Sequence, residues 1–336
     1  MSRSYLVTGA NGCIGAWIIK LLLDRNDRVT TLDLGTERHR IDALFDADKI
    51  DWVHSVLQAR TGDVSDPQDV RSAIEAAEPD AIIHLAGLQV PTCRVDPISG
   101  ARVNIIGTLN ILEGAREAGI SNVTYASSAA VYGPAPAEQA VPEDEYVDPR
   151  THYGVFKLAN EGNAEIHWND HGLASAGLRP LTVYGVGRDQ GMTSAPTTAM
   201  KSAILGGAFT MPLTGPTDFL YVEDAAHAFI TCADEIRSGA HVFNIAGEST
   251  TFEECAEKID RALPDERRGL VSCSGGAIPI APRLDDSALR DETTYSERTS
   301  LKDGIERTLF RFEELASEGR LDTRDLPELS GEPRRA

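Results

Sequence analysis

No Cys-x-x-Cys pair, no basic run and no apolar stretch approaching the roughly 20 residues that span a bilayer occurs in this 336-residue chain. Each absence removes a class of protein. The five cysteines (Cys13, Cys93, Cys232, Cys255, Cys273) are scattered and odd in number, which suggests neither a disulfide framework nor a zinc site and fits a reducing cytoplasm. Lysine is scarce, with six residues among the 32 Lys and Arg, and the formal net charge is -20. A surface that acidic repels phosphate backbones and anionic membranes, so neither nucleic acid nor membrane is expected as a partner. The N-terminus runs directly into a buried-strand pattern, and the chain is expected to be soluble and unexported. With 41% hydrophobic residues the chain can fill one large core or two lobes that share a cleft.

Short apolar runs bounded by turn residues alternate with longer amphipathic stretches. Tyr5–Thr8, Arg28–Asp33, Ala81–His84 and Asn122–Ser127 read as strands with helices between them. This βαβ rhythm predicts an α/β fold, a doubly wound parallel Rossmann sheet, and the continuous apolar character of 81–86 suits a strand covered on both faces. Later the rhythm loosens. Ser175–Arg179 and Leu220–Val222 still read as sheet strands, and a helix is expected near Thr197–Leu205. The expected division is residues 1–178 as mainly a dinucleotide-binding domain and 179–326 as mainly a smaller interleaved substrate lobe. A sheet segment near 218–235 is expected to return to the first domain, and 327–336 has the composition of a frayed tail.

The strand at Tyr5–Thr8 leads at once into Gly9-Ala-Asn-Gly12-Cys-Ile-Gly15 and then a helical pattern. Gly9 permits a tight turn, Gly12 lets the main chain approach a pyrophosphate, and Gly15 lets the helix sit close to the strand with its N-terminus facing the anion. The second strand ends at Asp33, about 20 residues on, where a carboxylate meets the adenosine ribose hydroxyls and repels a 2′-phosphate. NAD is therefore expected rather than NADP. Asp63 either faces the adenine or occupies a solvated turn. Cys13 lies where a helix N-terminus lowers a thiol pKa, although a simple small-residue substitution explains it as well. Tyr153-x-x-x-Lys157 puts a phenol and an ammonium on one helix face, and the ammonium favours the phenolate needed to take a proton from an alcohol. His167 and His171 are four apart on an expected helix, but the motif lacks the Glu a zincin needs, and no metal is expected.

Several segments occur together in order: Thr8-Gly9-x-x-Gly12-x-x-Gly15, His84-Leu-Ala-Gly87, Asn104-Ile-Ile-Gly107-Thr-Leu-Asn110, Ser127-Ser128-x-x-Val131-Tyr132-Gly133, Tyr153-x-x-x-Lys157, Leu178-Arg-Pro180-x-x-Val183-Tyr184-Gly185 and Asp218-x-x-x-Val222-x-Asp224. Over most of its length the chain thus resembles the extended branch of the short-chain dehydrogenase/reductase superfamily, the group of NAD-dependent epimerases and dehydratases. The resemblance implies that Tyr153 is the base, that Lys157 lowers its pKa and binds the nicotinamide ribose, and that Ser128, or its neighbour Ser127, hydrogen-bonds the reacting oxygen. The cofactor contacts it implies are Gly9, Asn11, Gly12, Cys13, Ile14, Gly15, Asp33, Leu34, Asp63, Val64, Leu85, Ala86, Gly87, Asn104, Tyr153 and Lys157. Candidate substrate contacts are Gln89, Ser128, Thr182, Arg188, Gln190 and Thr193, with Arg188 suited to a carboxylate or phosphate. Related enzymes commonly pair two helices with their symmetry mates, so a homodimer through 98–118 and 153–170 is expected, with Val155, Leu158 and Ala159 as apolar contacts.

Departures from the family pattern narrow the chemistry. Dehydratases carry an Asp-Glu pair where this chain has Ala129-Ala130, which argues against loss of water and leaves hydride chemistry at a sugar hydroxyl carbon. The turn 84–88 resembles that of UDP-galactose 4-epimerases, making a sugar or nucleotide-sugar epimerase the first expectation. Thr182 and Thr217 stand where nucleotide-sugar enzymes often place Asn and Arg. A net dehydrogenase of a free sugar or sugar acid is the second expectation, and a nonenzymatic NAD-sensing protein the third.

Overall fold

The computed structural model describes residues 2–326, so the expected tail at 327–336 lies outside the described residues. In chain order the strands are β1 (Ser4–Thr8), β2 (Arg28–Asp33), β3 (Gln58–Thr61), β4 (Ala81–His84), β5 (Asn122–Ala126), β6 (Ala174–Pro180), β7 (Thr182–Tyr184), β8 (Phe209–Leu213), β9 (Pro216–Tyr221), β10 (Ala240–Ile245), β11 (Glu248–Thr251) and β12 (Val271–Gly276). Seven of them make one parallel sheet in the order β10-β6-β5-β4-β1-β2-β3. Side chains alternate across it. Leu6 enters the core on one face, under helices Pro67–Ala77 and Gly107–Glu117, while Tyr5 and Val7 enter the core on the other, under Cys13–Asp24 and Val222–Glu235. The doubly wound α/β architecture is as the strand rhythm predicts.

The order reverses at β1, which has β2 on one side and β4 on the other. Ligands of open α/β sheets bind outside the carboxyl ends of the strands at such a point. Here two turns meet. Gly9 has φ +66°, and a Cβ on it would lie 2.5 Å from the amide nitrogen of Ala86, so the turn after β1 and the turn after β4 pack main chain to main chain.

The later chain departs from expectation in one respect. The segment near 218–235 does not return as a strand of the central sheet. Residues 216–221 form β9, which pairs with β7 and β11 in a separate three-stranded sheet, and Val222–Glu235 is a helix. Val222, Ala225, Ala226, Phe229 and Ala233 are buried along it, a helical spacing that seats it against Cys13–Asp24. The strand that does return is β10, beside β6. A two-stranded sheet, β12-β8, and helices Ala195–Ile204, Phe252–Ala262 and Leu301–Ser317 complete the smaller lobe. Among the described residues no helix is long and apolar enough to cross a membrane. All five cysteines are unpaired.

Candidate active site

A cleft of about 420 Å³ opens at the reversal point and is lined by both lobes. On one wall the helix Cys13–Asp24 begins without a side-chain cap and without an acidic residue in its first turn, so its free N–H groups offer a positive end to an anion. Gly12, Cys13 and Ile14 line the cleft beside it. Asp33 closes β2, and one of its carboxylate oxygens accepts the Asn11 amide at 2.9 Å. Leu34, Asp63, Val64, Leu85, Ala86 and Gly87 line the same wall. This set suits a dinucleotide: an uncapped helix end for the diphosphate, main chain stripped of side chains at the turn, and a carboxylate at the ribose end.

The floor comes from the helix His152–His171 and the turn after β5. Thr151 caps the helix by accepting the Gly154 amide at 3.0 Å. A Cβ at Gly154 would lie 2.2 Å from the Ala130 carbonyl oxygen, so glycine there lets the first helical turn reach the turn Ser127–Ala130. Tyr153 and Ser128 line the cleft together, and the Ser128 hydroxyl accepts the Ala130 amide at 3.1 Å. Lys157, one helical turn on, has its Nζ 5.5 Å from the centre of the Tyr153 ring and donates to the Ala126 carbonyl at 2.6 Å. Ser127 also lines the cleft, but its hydroxyl donates to buried Glu161, whose carboxylate also receives two hydrogen bonds from Arg179 at 2.7 and 2.8 Å. Ala130 lines the cleft, so no carboxylate stands at that position.

The electrostatics differ from the sequence argument. Burial pushes the Tyr153 phenol above its ordinary value, against the opposing effects of the neighbouring Ser128 hydroxyl and the Arg188 cation. Burial also pushes the Lys157 ammonium down to about 8, although Glu161 pulls the other way. Spacing on a helix records that the two groups are close and misses the desolvation that shifts both. Cys13 is corrected in the same sense: burial pushes its thiol up to about 12. His84, between the hydroxyls of Thr8 and Thr108 at 2.6 and 3.1 Å, is pushed down to about 3 by burial and by Lys157.

Two expected site residues, Asn104 and Thr182, do not line the cleft. Asn104 lies behind the cleft wall, in a π-helical turn, where its amide clamps the main chain of Leu88 at 2.8 and 3.0 Å. Gly9 and Gly15 both line the cleft as expected and both serve packing, since a Cβ on Gly15 would lie 2.6 Å from the Gly9 carbonyl oxygen. Thr182 does not line the cleft; its hydroxyl is buried and hydrogen-bonded to that of Thr217 at 2.7 Å, because β7 lies directly beside β9. Gln89, Arg188, Gln190 and Thr193 do line it. Arg188 donates to Thr193 at 3.0 Å, and its Nε is buried with no partner among the described residues. Arg40, Met192, Ile278 and Ile280 also line the cleft and belong to none of the sequence motifs, and Leu181, an unspecified position between Pro180 and Val183, joins them. His167 is occupied by the Asn163 carbonyl and the Glu113 carboxylate, at 2.8 and 2.9 Å.

The sequence pattern of the NAD dependent epimerase/dehydratase family matches residues 5–246. A UDP-glucose 4-epimerase of Mycolicibacterium smegmatis is 29% identical over 314 residues, covering 90% of this chain and 96% of the relative. Among solved structures, a partial consensus L-threonine 3-dehydrogenase is 25% identical with a TM-score of 0.80, covering 93% of this chain and 99% of that one. The Thermus thermophilus UDP-glucose 4-epimerase, solved with NAD, has a TM-score of 0.76 at 24% identity over 92% of this chain and 98% of its own. The cleft and these likenesses lead to one assignment: the chain belongs to the NAD dependent epimerase/dehydratase family, in the extended branch of the short-chain dehydrogenases/reductases, and is an NAD-dependent enzyme.

Proposed function

We propose that the chain inverts a hydroxyl-bearing carbon of a sugar, with a nucleotide sugar as the first substrate class. The observation that carries this reading is the convergence of Ser128, Tyr153 and Lys157 on the floor of the cleft that holds the glycine turn. Relatives named UDP-glucose 4-epimerase support the nucleotide sugar. Ala129 and Ala130 support hydride chemistry without loss of water. Bound NAD would supply a reversible hydride acceptor whose oxidised ring carries a positive charge. Tyr153 takes the proton from the substrate hydroxyl oxygen and later returns it, and Ser128 donates a hydrogen bond to that oxygen. Lys157 steadies the phenolate and meets the nicotinamide ribose. Gly9, Gly12 and the helix end at Cys13 and Ile14 hold the diphosphate, Asp33 holds the adenosine ribose, and Asp63 and Val64 face the adenine. Gln89, Arg188, Gln190 and Thr193 hold the sugar.

A second reading is a net dehydrogenase of a small free acid. The Thr182–Thr217 pair favours it, since both hydroxyls are spent on each other where nucleotide contacts are expected, and so does the likeness to an L-threonine 3-dehydrogenase. Incubation with NAD and a panel of nucleotide sugars, free sugars and sugar acids separates the two. Isomer formation without net NADH supports the epimerase; NADH accumulating in step with substrate loss replaces it by the dehydrogenase.

The lobe after residue 178 is read as the substrate side, although β10 belongs to the central sheet. A homodimer completes the proposal. Val95, Ile98, Ile106, Val155 and Ile166 are exposed on helices that pack together, which supports a second copy as their cover, whereas Leu158 packs into its own chain's core. Val155→Glu should give a monomer in sedimentation velocity; a wild-type protein that is monomeric at every concentration removes the dimer.

A further inference from the structure

Besides the reacting groups, a buried ion pair crosses the cleft and has no role in the chemistry above. Arg40 lies on the cofactor side, seven residues after Asp33, and Asp189 lies on the loop from Gly185 to Ser194 that carries Arg188. Their side chains are only 13% and 11% exposed. Arg40 Nε and Nη2 donate to the Asp189 carboxylate at 2.7–3.0 Å. Its remaining nitrogen, Nη1, donates to the Asn11 carbonyl at 2.7 Å, and the Asn11 amide in turn donates to Asp33 at 2.9 Å. A continuous series of direct hydrogen bonds thus joins Asp33, the glycine turn, Arg40 and Asp189, and ends one residue from Arg188.

The loop needs such an anchor. Gly185, Gly187 and Gly191 have φ of +127°, +90° and +98°, so its path uses conformations that side-chain-bearing residues rarely adopt. Another tie to the cofactor side is the hydrogen bond from Trp17 Nε1 to the Val186 carbonyl at 2.9 Å. Arg188 lines the cleft, and Asp189 beside it pairs with Arg40. Burial raises the Asp189 carboxyl, but His39 and Arg40 more than reverse this and hold it down to about 2, so the pair stays charged.

We propose that Asp189 is a positioning residue: through Arg40 it fastens the Arg188 loop to the phosphate-binding turn, so that cofactor in the turn and order in the substrate loop are coupled. The proposal rests on the reading that the glycine turn and Asp33 hold NAD. A coupling of this kind has a recognisable size, about 5–150-fold between two sites, and a chain of contacts is evidence of coupling only when a perturbation at one end is felt at the other.

Amide hydrogen exchange followed by mass spectrometry tests this without knowledge of the substrate. In the wild-type protein, saturating NAD should slow exchange about fivefold or more both at 9–15 and at 185–194. In Asp189→Asn the effect at 9–15 should persist while that at 185–194 falls below about twofold. The double variant Arg40→Met with Asp189→Met, which leaves no lone buried charge, should behave like Asp189→Asn and serves if the single variant does not fold. Asp322→Asn removes a neighbour of His39 but leaves the Arg40–Asp189 pair, and should respond to NAD as the wild type does. Equal protection of 185–194 in the wild type and the variants overturns the proposal, as does protection confined to 9–15 in the wild type. Absence of protection at both segments overturns the cofactor reading and the coupling with it.

Discussion

The two walls of the cleft are made of different material. The cofactor wall is mostly main chain: a glycine turn, an uncapped helix end and the Leu85–Ala86 turn pressed against it. The substrate wall is mostly side chain, with Arg188, Gln190 and Thr193 on a glycine-hinged loop, Gln89 opposite them, and Leu181, Ile278 and Ile280 as apolar lining. A wall of main chain tolerates few residue types, since any Cβ at Gly9 collides with a backbone that cannot move aside. A wall of side chains can be rewritten one residue at a time without disturbing the sheet behind it. The same asymmetry explains why the family can be read from the first 160 residues while the substrate cannot.

The largest effect expected lies on the floor the two walls share. Tyr153→Phe keeps the ring and removes the oxygen proposed to carry the proton, so turnover should fall by roughly 10²–10⁴-fold. NAD affinity, measured by titration calorimetry, should change little, because the phenol is not part of the diphosphate cradle. Near-native turnover of the variant would show that the proton moves through another group.

Gly9→Ala is the next largest, and it asks whether the cofactor wall is as rigid as its main-chain packing implies. The new Cβ meets the Ala86 nitrogen at 2.5 Å in a backbone already at φ +66°. Loss of about 2–4 kcal/mol of stability is expected, together with loss of NAD binding. The matching change on the other wall, Thr193→Ala, should leave the thermal midpoint within a degree or two and alter only substrate affinity. Equal destabilisation by both would erase the distinction between the walls. Asp33→Ser is milder. It removes a charged acceptor worth about 1.5–3 kcal/mol at most, so NAD should bind more weakly and discrimination against NADP should relax. Unchanged selectivity in cofactor titrations would remove Asp33 from the ribose site.

What the sequence discloses follows the same division. The β1 turn is legible because Gly9, Gly12 and Gly15 are each demanded by a close approach of main chain. Leu220–Val222 is rightly read as strand as far as Tyr221, where β9 ends, but a short apolar run discloses neither the sheet it joins nor the helix that starts at Val222. β10 pairs with β6 across residues 181–239 and carries His241 and Asn244 within it, which blurs its apolar pattern. Arg40 and Asp189 are separated by 149 positions, and nothing in either neighbourhood marks them as partners. The tyrosine–lysine pair is legible as a pair, but its ionisation is not, since spacing on a helix records proximity and says nothing of desolvation.

That desolvation yields the smallest and most specific prediction. The folded protein holds Lys157 at about 8, below the 10.5 of the free side chain. Below pH 8 both folded and unfolded chains carry the proton, and the folded one bears the whole penalty of a buried ammonium. Between pH 8 and 10.5 the unfolded chain binds more protons, so this group's contribution to stability rises with pH; above 10.5 the penalty is gone. The shift corresponds to at most about 3 kcal/mol, from which the lost hydrogen bond to Ala126 subtracts about 1 kcal/mol in a variant. Lys157→Met should therefore be inactive yet more stable than the wild type near pH 7, by about 1–2 kcal/mol. Denaturant titrations of both proteins from pH 7 to 10.5 should show the advantage shrinking and then reversing sign. A Lys157→Met variant less stable than the wild type at every pH would mean that the Ala126 contact outweighs the burial, and that the ammonium helps to hold the floor together rather than straining it.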